Sequence, residues 1–370
     1  MAAYTFETSI VIGNGGDSVP AIVDPFRDAL AAISGGDFEL SALTAPPAGT
    51  GSAFSHVTND GSAIKFTYGL GLDAAALVPS GALLYTHFGM GMEIDEWLSW
   101  WYQGGAALFE ARLVAAGVGA VVFPIMLRPG EASGWYREAV SLKKLNDGKW
   151  SDGTAIKWRG FLDEIPIHQA AFPNVFAGSS GVGVSFLTEV FNSVFNCGEY
   201  NEPWGDIGPV NGLFPNWPNV AGSIIDAGCP HYYMSSWHSA CRVRMCWVNR
   251  TFYNSLSAND KIKIEVAAKN SCLSNIAYAM GTQDAIIKTF QDLGAIVHAQ
   301  MPMDVLTRIR DVSGPVMEAR AALDLTGSYT ALLQSQQAFI RANGAKWSAY
   351  PDRRWRFQRK DYQPALNPNC

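Results

Sequence analysis

The first third of the sequence alternates short, β-branched apolar stretches with segments in which apolar residues recur at helical spacing. The predicted strands are residues 8–12, 38–43, 64–68, 83–88 and 118–123, and the predicted helices are residues 20–33 and 93–116. Strands that alternate with helices in this way are typical of domains that place helices on the faces of a sheet. We therefore predict the α/β fold class.

A change of pattern after Gly134 indicates a second lobe, with shorter strand candidates at residues 135–140 and 155–161. Residues 196–230 hold five prolines, six glycines and two tryptophans with little periodicity, which indicates a lobe crossing or a binding loop. A further strand is predicted at residues 243–249. A long helix is predicted at 257–293, where Ser257 and Asp260 begin it as a capping pair. Helices continue to residue 345, and an extended tail follows Trp347.

Composition excludes several classes of protein. Hydrophobic residues make up 48% of the chain and charged residues 16%, which is typical of an ordered globule and not of a disordered chain. The 27 Lys and Arg against 33 Asp and Glu give a net charge of -6, which argues against a nucleic-acid partner. The longest uncharged apolar run, residues 113–127, is interrupted by two glycines and a proline and is shorter than the ~20 residues of a transmembrane helix.

The amino-terminal residues lack a basic segment followed by an apolar core, so we expect a cytoplasmic chain or an exported one that has lost its signal. The six cysteines follow no C-x-x-C pattern, and their pairing stays open.

The motifs that resemble nucleotide-binding or catalytic sites are incomplete. The glycine cluster at residues 13–16 has Ser18 where a dinucleotide fingerprint requires its third glycine, and no P-loop Lys follows. Residues 178–181 do not match the G-x-S-x-G nucleophile elbow. We therefore predict that the chain is not an enzyme and has no resident cofactor. A hydrolase acting through Ser179 or Ser180 is a minor alternative.

Four potential metal ligands lie close together in the sequence, but their spacing matches no standard zinc pattern: Cys229, His231, His238 and Cys241. A placement in the core or in a loop is the favoured interpretation. A zinc enzyme that uses His231 and His238 is the other minor alternative.

Isolated cations in or beside apolar, aromatic strands are the more informative residues: Arg128, Arg137, Lys157, Arg159, Arg242 and Arg244. A guanidinium presents a planar fork of donors that matches both oxygens of a carboxylate. Arg159, between Trp158 and Gly160, is the candidate ligand contact of this set. A structural salt bridge is the alternative for each of them.

Several motifs in order along the chain resemble those of the solute-binding proteins of tripartite ATP-independent periplasmic (TRAP) transporters. The residues that carry the resemblance are Phe88-Gly89, Trp97, Gly104-Gly105, Gly134-Trp135-Tyr136, Lys157 with Arg159, Tyr232-Tyr233, Trp237-His238 and Val248-Asn249. The resemblance covers most of residues 18–347. It departs from the family pattern where Glu131 replaces a common Gln and where Ser235-Ser236 precedes Trp237.

The resemblance implies a two-lobed periplasmic-binding-protein fold with hinge-crossing strands and a long connecting helix. The first lobe would comprise residues 1–123 and 206–247, and the second lobe residues 124–205 and 248–305. Residues 306–370 would form C-terminal helices and a tail that pack back on the lobes. In this family a small organic acid binds between the lobes, and the Arg that matches Arg159 holds its carboxylate.

The resemblance also implies which other residues line the cleft. Trp135 and Tyr136 would line it beside Arg159, and the remaining wall would be formed by Glu131, Asn201, Glu202, Trp204 and Trp237. It does not decide whether a cation bridges the ligand.

The resulting hypothesis is a periplasmic or extracellular receptor that delivers a carboxylate to separate membrane subunits of a TRAP transporter. The alternative is a structural or assembly protein that keeps this fold and self-associates through the aromatic loop at residues 213–218, the Arg-rich tail and Cys370.

Overall fold

The computed structural model describes residues 4–10, 19–44, 55, 57–70, 78–85, 92, 94–129, 132–160, 164–178, 195–198, 224–234, 237 and 241–348. This part of the chain forms two β-sheets with helices packed against both, which confirms the predicted α/β class.

The strands are β1 Tyr4–Ile10, β2 Phe38–Thr44, β3 Ile64–Leu70, β4 Ala120–Pro129, β5 Gly134–Tyr136, β6 Lys157–Arg159, β7 Phe176–Gly178, β8 Cys197–Gly198, β9 His231–Tyr233, β10 Cys241–Asn249 and β11 Ile296–His298. The α-helices are α1 Val19–Ser34, α2 Ala82–Tyr85, α3 Ile94–Trp100, α4 Ala106–Ala115, α5 Leu142–Asp147, α6 Glu164–Ala171, α7 Arg250–Ser255, α8 Ala258–Asp292, α9 Met303–Leu323 and α10 Ser328–Ser348.

The first sheet has the strand order β2-β1-β3-β10-β4, and only β10 runs opposite to the others. One face buries Phe26 and Leu30 of α1 against Phe66 and Tyr68 of β3. The other face buries a group of tryptophans that includes Trp97, Trp101 and Trp247. Because both faces are covered, the strands are apolar on both sides.

The second sheet has the order β11-β9-β5-β8-β6-β7, and only β5 runs opposite to the others. Its strands have only two or three residues each. Tyr136, Trp158 and Tyr233 lie in one core cluster, whereas Trp135 and Tyr232 lie in another. Such alternation follows from the two-residue period of a strand, which sends neighbouring side chains to opposite faces.

Helix α8 connects the cores of the two sheets. Ser257 begins it as predicted, because its hydroxyl accepts a hydrogen bond from the Asp260 amide at 3.1 Å. Ile264 packs in the core of the first sheet, and Phe290, about seven turns further on, packs against the second. The predicted long connecting helix is thus confirmed.

The chain passes between the sheets through two neighbouring strands. Strand β4 continues into β5, and β9 continues into β10, so that β4 pairs with β10 in one sheet and β5 with β9 in the other. These are the predicted crossing strands, and the register changes between the two ladders, from Pro129 opposite Cys241 to Gly134 opposite Tyr233.

Sheet membership differs from the predicted lobe boundaries at three places. Residues 231–233 form β9 of the second sheet, although 206–247 was assigned to the first lobe. The boundary at 123/124 falls inside β4, and Val248 and Asn249 complete β10 of the first sheet. The lobe boundaries themselves stay a prediction.

Two element predictions were wrong in part. Residues 83–85 are helical and not extended, because the turn at Pro79–Gly81 leads directly into α2. An apolar run this short fits a buried strand and a buried helix equally well. The predicted helix 93–116 is interrupted at Trp101–Gly105, where Gly104 has a φ of 134°.

The C-terminal helices are expected to stabilise the fold through one face only. Leu306 and Leu323 both belong to α9, but Leu306 is 1% exposed in the large core cluster and Leu323 is 81% exposed. We expect Leu306→Ala to lower the free energy of unfolding by about 2–5 kcal/mol. Leu323→Ala is expected to change it by about 0.5 kcal/mol or less. Urea denaturation measures both, and equal losses would contradict this packing of α9.

Candidate functional site

The candidate site lies at the edge of the second sheet where its parallel strands end. Arg159 is the last residue of β6, and the neighbouring strands β7 and β8 end beside it at Gly178 and Gly198. Ligands of open α/β sheets bind outside the carboxyl ends of the strands. The topology therefore places Arg159 where a ligand is expected.

The two crossings between the sheets lie at this same edge. Strand β5 is antiparallel to its neighbours, so it begins where β8 and β9 end, with Gly134 opposite Tyr233. Residues 130–133 and 234–240 connect this edge to the end of β4 and the start of β10 in the first sheet. The edge that carries Arg159 is therefore the one from which the chain passes to the other sheet.

Trp135, Gly198 and Arg159 lie side by side on one face of the sheet. Trp135 is the register partner of Gly198, and Gly198 is the register partner of Arg159. Gly198 has a φ of 148°, and a Cβ there would lie 2.3 Å from the Arg159 carbonyl oxygen. Only glycine allows this close approach. Gly198 therefore lets β8 pack tightly against the backbone of Arg159.

The surroundings hold both side chains in place. Trp135 is 1% exposed and packs against Tyr232 and Phe290, with ring centroids 4.7 and 5.3 Å away. Arg159 is 5% exposed, and charge-assisted hydrogen bonds are stronger at such a buried position than in bulk water.

Asn196 fixes the position of β6 through its side-chain amide. Its Oδ1 accepts hydrogen bonds at 3.0 Å from the Lys157 amide and from the Trp150 indole, and its Nδ2 donates to the Ala155 carbonyl at 2.9 Å. These three bonds connect β6 to the preceding turn and to β8. The backbone that carries Arg159 is thus held before any ligand arrives.

The opposite face of the sheet contains a separate aromatic cluster. Tyr136 donates a hydrogen bond to the Ser133 carbonyl at 3.1 Å and packs edge-on against Tyr233. Trp158 stacks on His168 at 4.1 Å, and Trp237 lies 5.7 Å from the Trp158 ring. Burial lowers the pKa of His168 to about 3, so its ring is neutral at physiological pH.

Tyr136 and Trp135 lie on opposite faces of the second sheet. Neighbouring residues of a strand face opposite sides, and only Trp135 shares the face of Arg159. That both residues line one cleft stays a prediction. Trp237 packs with Trp158 and His168 on the far side from Arg159. Its contact with a ligand stays a prediction.

The remaining predicted wall residues lie outside the described part of the chain: Glu131, Asn201, Glu202 and Trp204. The same is true of Ser179, Ser180, His238, the loop 213–218 and the tail with Cys370.

Gly198 was not recognised from the sequence as part of the site. The sequence shows a glycine directly after the apolar stretch that ends in Cys197. That this glycine contacts Arg159 follows only from the pairing of β8 with β6.

Two of the potential zinc ligands are buried cysteines, and a third has another partner. Cys229 and Cys241 are both buried, and burial raises the pKa of the Cys229 thiol to about 12. The Nδ1 atom of His231 lies 2.9 Å from Nε2 of His298 and shares a hydrogen bond with it. Within the described ranges, no group of three or more His, Cys, Asp or Glu side chains is arranged to hold a metal ion.

None of the helices in the described part of the chain combines the length and the hydropathy needed to cross a bilayer.

Comparison by sequence finds no relative, since no protein-family model and no curated protein matches the chain. Comparison by structure does find similar proteins. A TRAP periplasmic solute-binding protein from Colwellia psychrerythraea, with bound calcium and pyruvate, superimposes with a TM-score of 0.72 at 16% identity, over 95% of this chain and 98% of that one.

Two further solved structures are similar. A TRAP periplasmic solute-binding protein from Pseudoalteromonas atlantica, with bound sodium and pyruvate, has a TM-score of 0.71 at 17% identity and covers 94% of this chain and 97% of its own. The periplasmic ectoine-binding protein of the TeaABC TRAP transporter of Halomonas elongata has a TM-score of 0.64 at 14% identity, over 91% and 99% of the two chains. The chain thus has the two-lobed α/β fold of the solute-binding proteins of TRAP transporters.

Proposed function

We propose that this protein is an extracytoplasmic solute receptor of a TRAP-type transporter and that it captures a small organic acid in the cleft between its lobes. The observation that carries the proposal is the position of Arg159. Arg159 is buried at the carboxyl edge of the second sheet, next to Gly198 and on the same face as Trp135.

Each part of this arrangement suits a planar acid. The guanidinium offers two parallel N–H donors to a carboxylate. The close approach of Gly198 to the Arg159 backbone fixes the strand that carries the guanidinium, and the indole of Trp135 gives the ligand an apolar wall. The pyruvate found in two structural neighbours is an acid of this kind.

Other structural neighbours bind solutes other than pyruvate, so the class of ligand is tested directly. One binds ectoine, and another, from Desulfovibrio desulfuricans, contains sn-glycerol-3-phosphate. A guanidinium recognises a phosphate as well as a carboxylate. A ligand screen should therefore include phosphate esters.

Closure of the lobes would couple ligand capture to transport. Binding energy gained at Arg159 favours the closed arrangement, and separate membrane subunits would recognise it. The segments that follow β4 and precede β10, together with helix α8, connect the two sheets. Closure of the lobes would bend the chain at these connections.

Sodium or calcium accompanies pyruvate in the two neighbours that contain it. Glu131 and Glu202 carry the oxygen ligands that such hard cations prefer. Binding of the acid through Arg159 requires neither of them, so the screen is run with and without added calcium.

Removing the guanidinium should abolish acid binding. We expect one class among monocarboxylates, dicarboxylates and 2-oxo acids to raise the melting temperature of the ligand-free protein, since a ligand that binds only the folded state stabilises it by mass action. Arg159→Ala should weaken this binding by about two orders of magnitude or more, the usual cost of truncating one partner of a buried charge pair. Isothermal titration calorimetry measures the change.

Two controls accompany Arg159→Ala. Arg137→Ala removes an exposed arginine that pairs with Asp152 at 2.6 Å, and it should leave ligand affinity unchanged. Arg159→Lys keeps the charge but loses the planar fork, so it should bind more weakly than wild type. If Arg159→Ala keeps the ligand-induced shift while folded, the acid binds elsewhere and the proposal is wrong.

A side chain at position 198 should also impair binding. In Gly198→Ala the added Cβ meets the Arg159 backbone, so β6 must move and carry the guanidinium with it. The matched control is Gly153→Ala, because Gly153 also has a positive φ (85°) but nothing within 4 Å of the added Cβ. Both variants should lose some stability from backbone strain. Only Gly198→Ala should lose ligand affinity, by about tenfold or more, and equal affinities by calorimetry would show that the Gly198 contact does not position Arg159 for binding.

A further inference from the structure

The outer face of α8 is apolar where a surface helix is normally polar. Ile262 is 56% exposed, Val266 43% and Leu273 67%. The inner face of the same turns is buried in the core through Ile264 and Ala267. The helix is thus apolar on two sides, which is typical of a helix that is covered on both.

The exposed residues have the spacing of a helix-pairing surface. Ile262, Val266, Lys269 and Leu273 follow one another at intervals of four, three and four residues, as the a and d positions of a coiled coil do. These four residues are called the α8 seam. The long aliphatic stem of Lys269 allows it to belong to such a surface while its ammonium group stays in water.

Charges of both signs accompany the seam. The Lys269 ammonium lies 2.7 Å from Glu265 and 4.8 Å above the ring of Tyr102, which is itself 45% exposed. Ala258 and Ala277, both exposed, extend the seam at its two ends with small side chains. The surface therefore combines three apolar side chains with one Lys–Glu pair near its centre.

We propose that the α8 seam binds the α8 seam of a second copy of this chain in an antiparallel, two-fold symmetric pair. With the symmetry axis between Val266 and Lys269, Ile262 of each copy lies opposite Leu273 of the other. The same register sets Val266 against the stem of Lys269 and Ala258 against Ala277. In this register the large apolar side chains of Ile262 and Leu273 contact each other, and the small side chains of Ala258 and Ala277 contact each other at the ends of the seam.

The charges favour this direction of pairing. In the antiparallel pair, Glu265 of one copy lies within one helical turn of Lys269 of the other, so opposite charges meet. A parallel pair would bring Glu265 against Glu265 and Lys269 against Lys269. Because a single pair of helices buries little area, we expect weak association, in the micromolar to millimolar range.

The first test is the oligomeric state of the full chain over a wide range of concentration. Sedimentation velocity from about 1 μM to about 1 mM should detect a monomer that becomes a dimer. Leu273→Lys should weaken dimerisation by about tenfold or more, since it places a charge in the apolar part of the seam. The control is Leu325→Lys, because Leu325 is 98% exposed in the turn between α9 and α10 and should leave dimerisation unchanged.

A monomer over the whole range would overturn the proposal, and so would a Leu273→Lys variant that associates as strongly as the wild type or as Leu325→Lys. Both positions are exposed, so the variants are expected to keep the melting temperature of the wild type, which is measured alongside.

The second test concerns the antiparallel register. Glu265→Lys should weaken the dimer, because it replaces the carboxylate that faces Lys269 of the other copy with a second ammonium group. Adding Lys269→Glu to that variant exchanges the two charges and should restore association. A double variant that stays monomeric would exclude the antiparallel arrangement. Neither test depends on the receptor function, because no residue of the Arg159 site is changed.

Discussion

The pairing of β4 with β10 is the interaction on which the rest of the structure depends. The two strands run antiparallel from Ala120 opposite Asn249 to Pro129 opposite Cys241, and both cross from this ladder into the second sheet. The register is interrupted once, where Ile125 is the extra residue next to Pro124, which has no amide hydrogen to donate. Helix α8 satisfies the carbonyls at this irregularity: the Cys272 thiol donates to Pro124 at 3.1 Å, and Asn275 Nδ2 donates to Ile125 at 3.4 Å. The crossing and the connecting helix are thereby joined by buried polar contacts.

The position of Arg159 follows from this crossing. Because β5 and β9 continue the paired strands, their register determines which edge of the second sheet faces the crossings. Strands β8 and β6 then add in parallel register and end at that edge. Arg159 thus lies at the edge from which the chain passes to the first sheet, and the proposed receptor function uses this position.

Local sequence patterns predicted the elements that depend on local interactions. The β-branched stretch at 64–68 became β3, and Ser257 caps α8, because side chain and backbone within one turn decide both. The residue type of Arg159 and its place in a strand were also predictable. What could not be predicted was the face on which each residue lies, since a strand of three residues such as β5 carries no periodicity to read. Gly198 illustrates the same limit: its closeness to Arg159 is a matter of strand pairing between distant parts of the chain and not of local sequence.

Helix α8 was predicted as a helix, but its pattern could not reveal what covers it. It packs on the first sheet through Ile264 and on the second through Phe290, so its apolar residues are spread over several faces. The sequence pattern therefore does not distinguish the seam residues from the core residues of α8, whereas their exposure in the structure does.

The location of the seam along α8 determines which half of each copy the pair would hold. The seam at residues 262–273 lies on turns that pack against the first sheet through Ile264 and Ala267, whereas Ile286 and Phe290 pack in a core of the second sheet. Two copies joined at the seam would therefore be held through their first-sheet halves, and the second-sheet half of each copy, with Arg159, would stay free to close over a ligand.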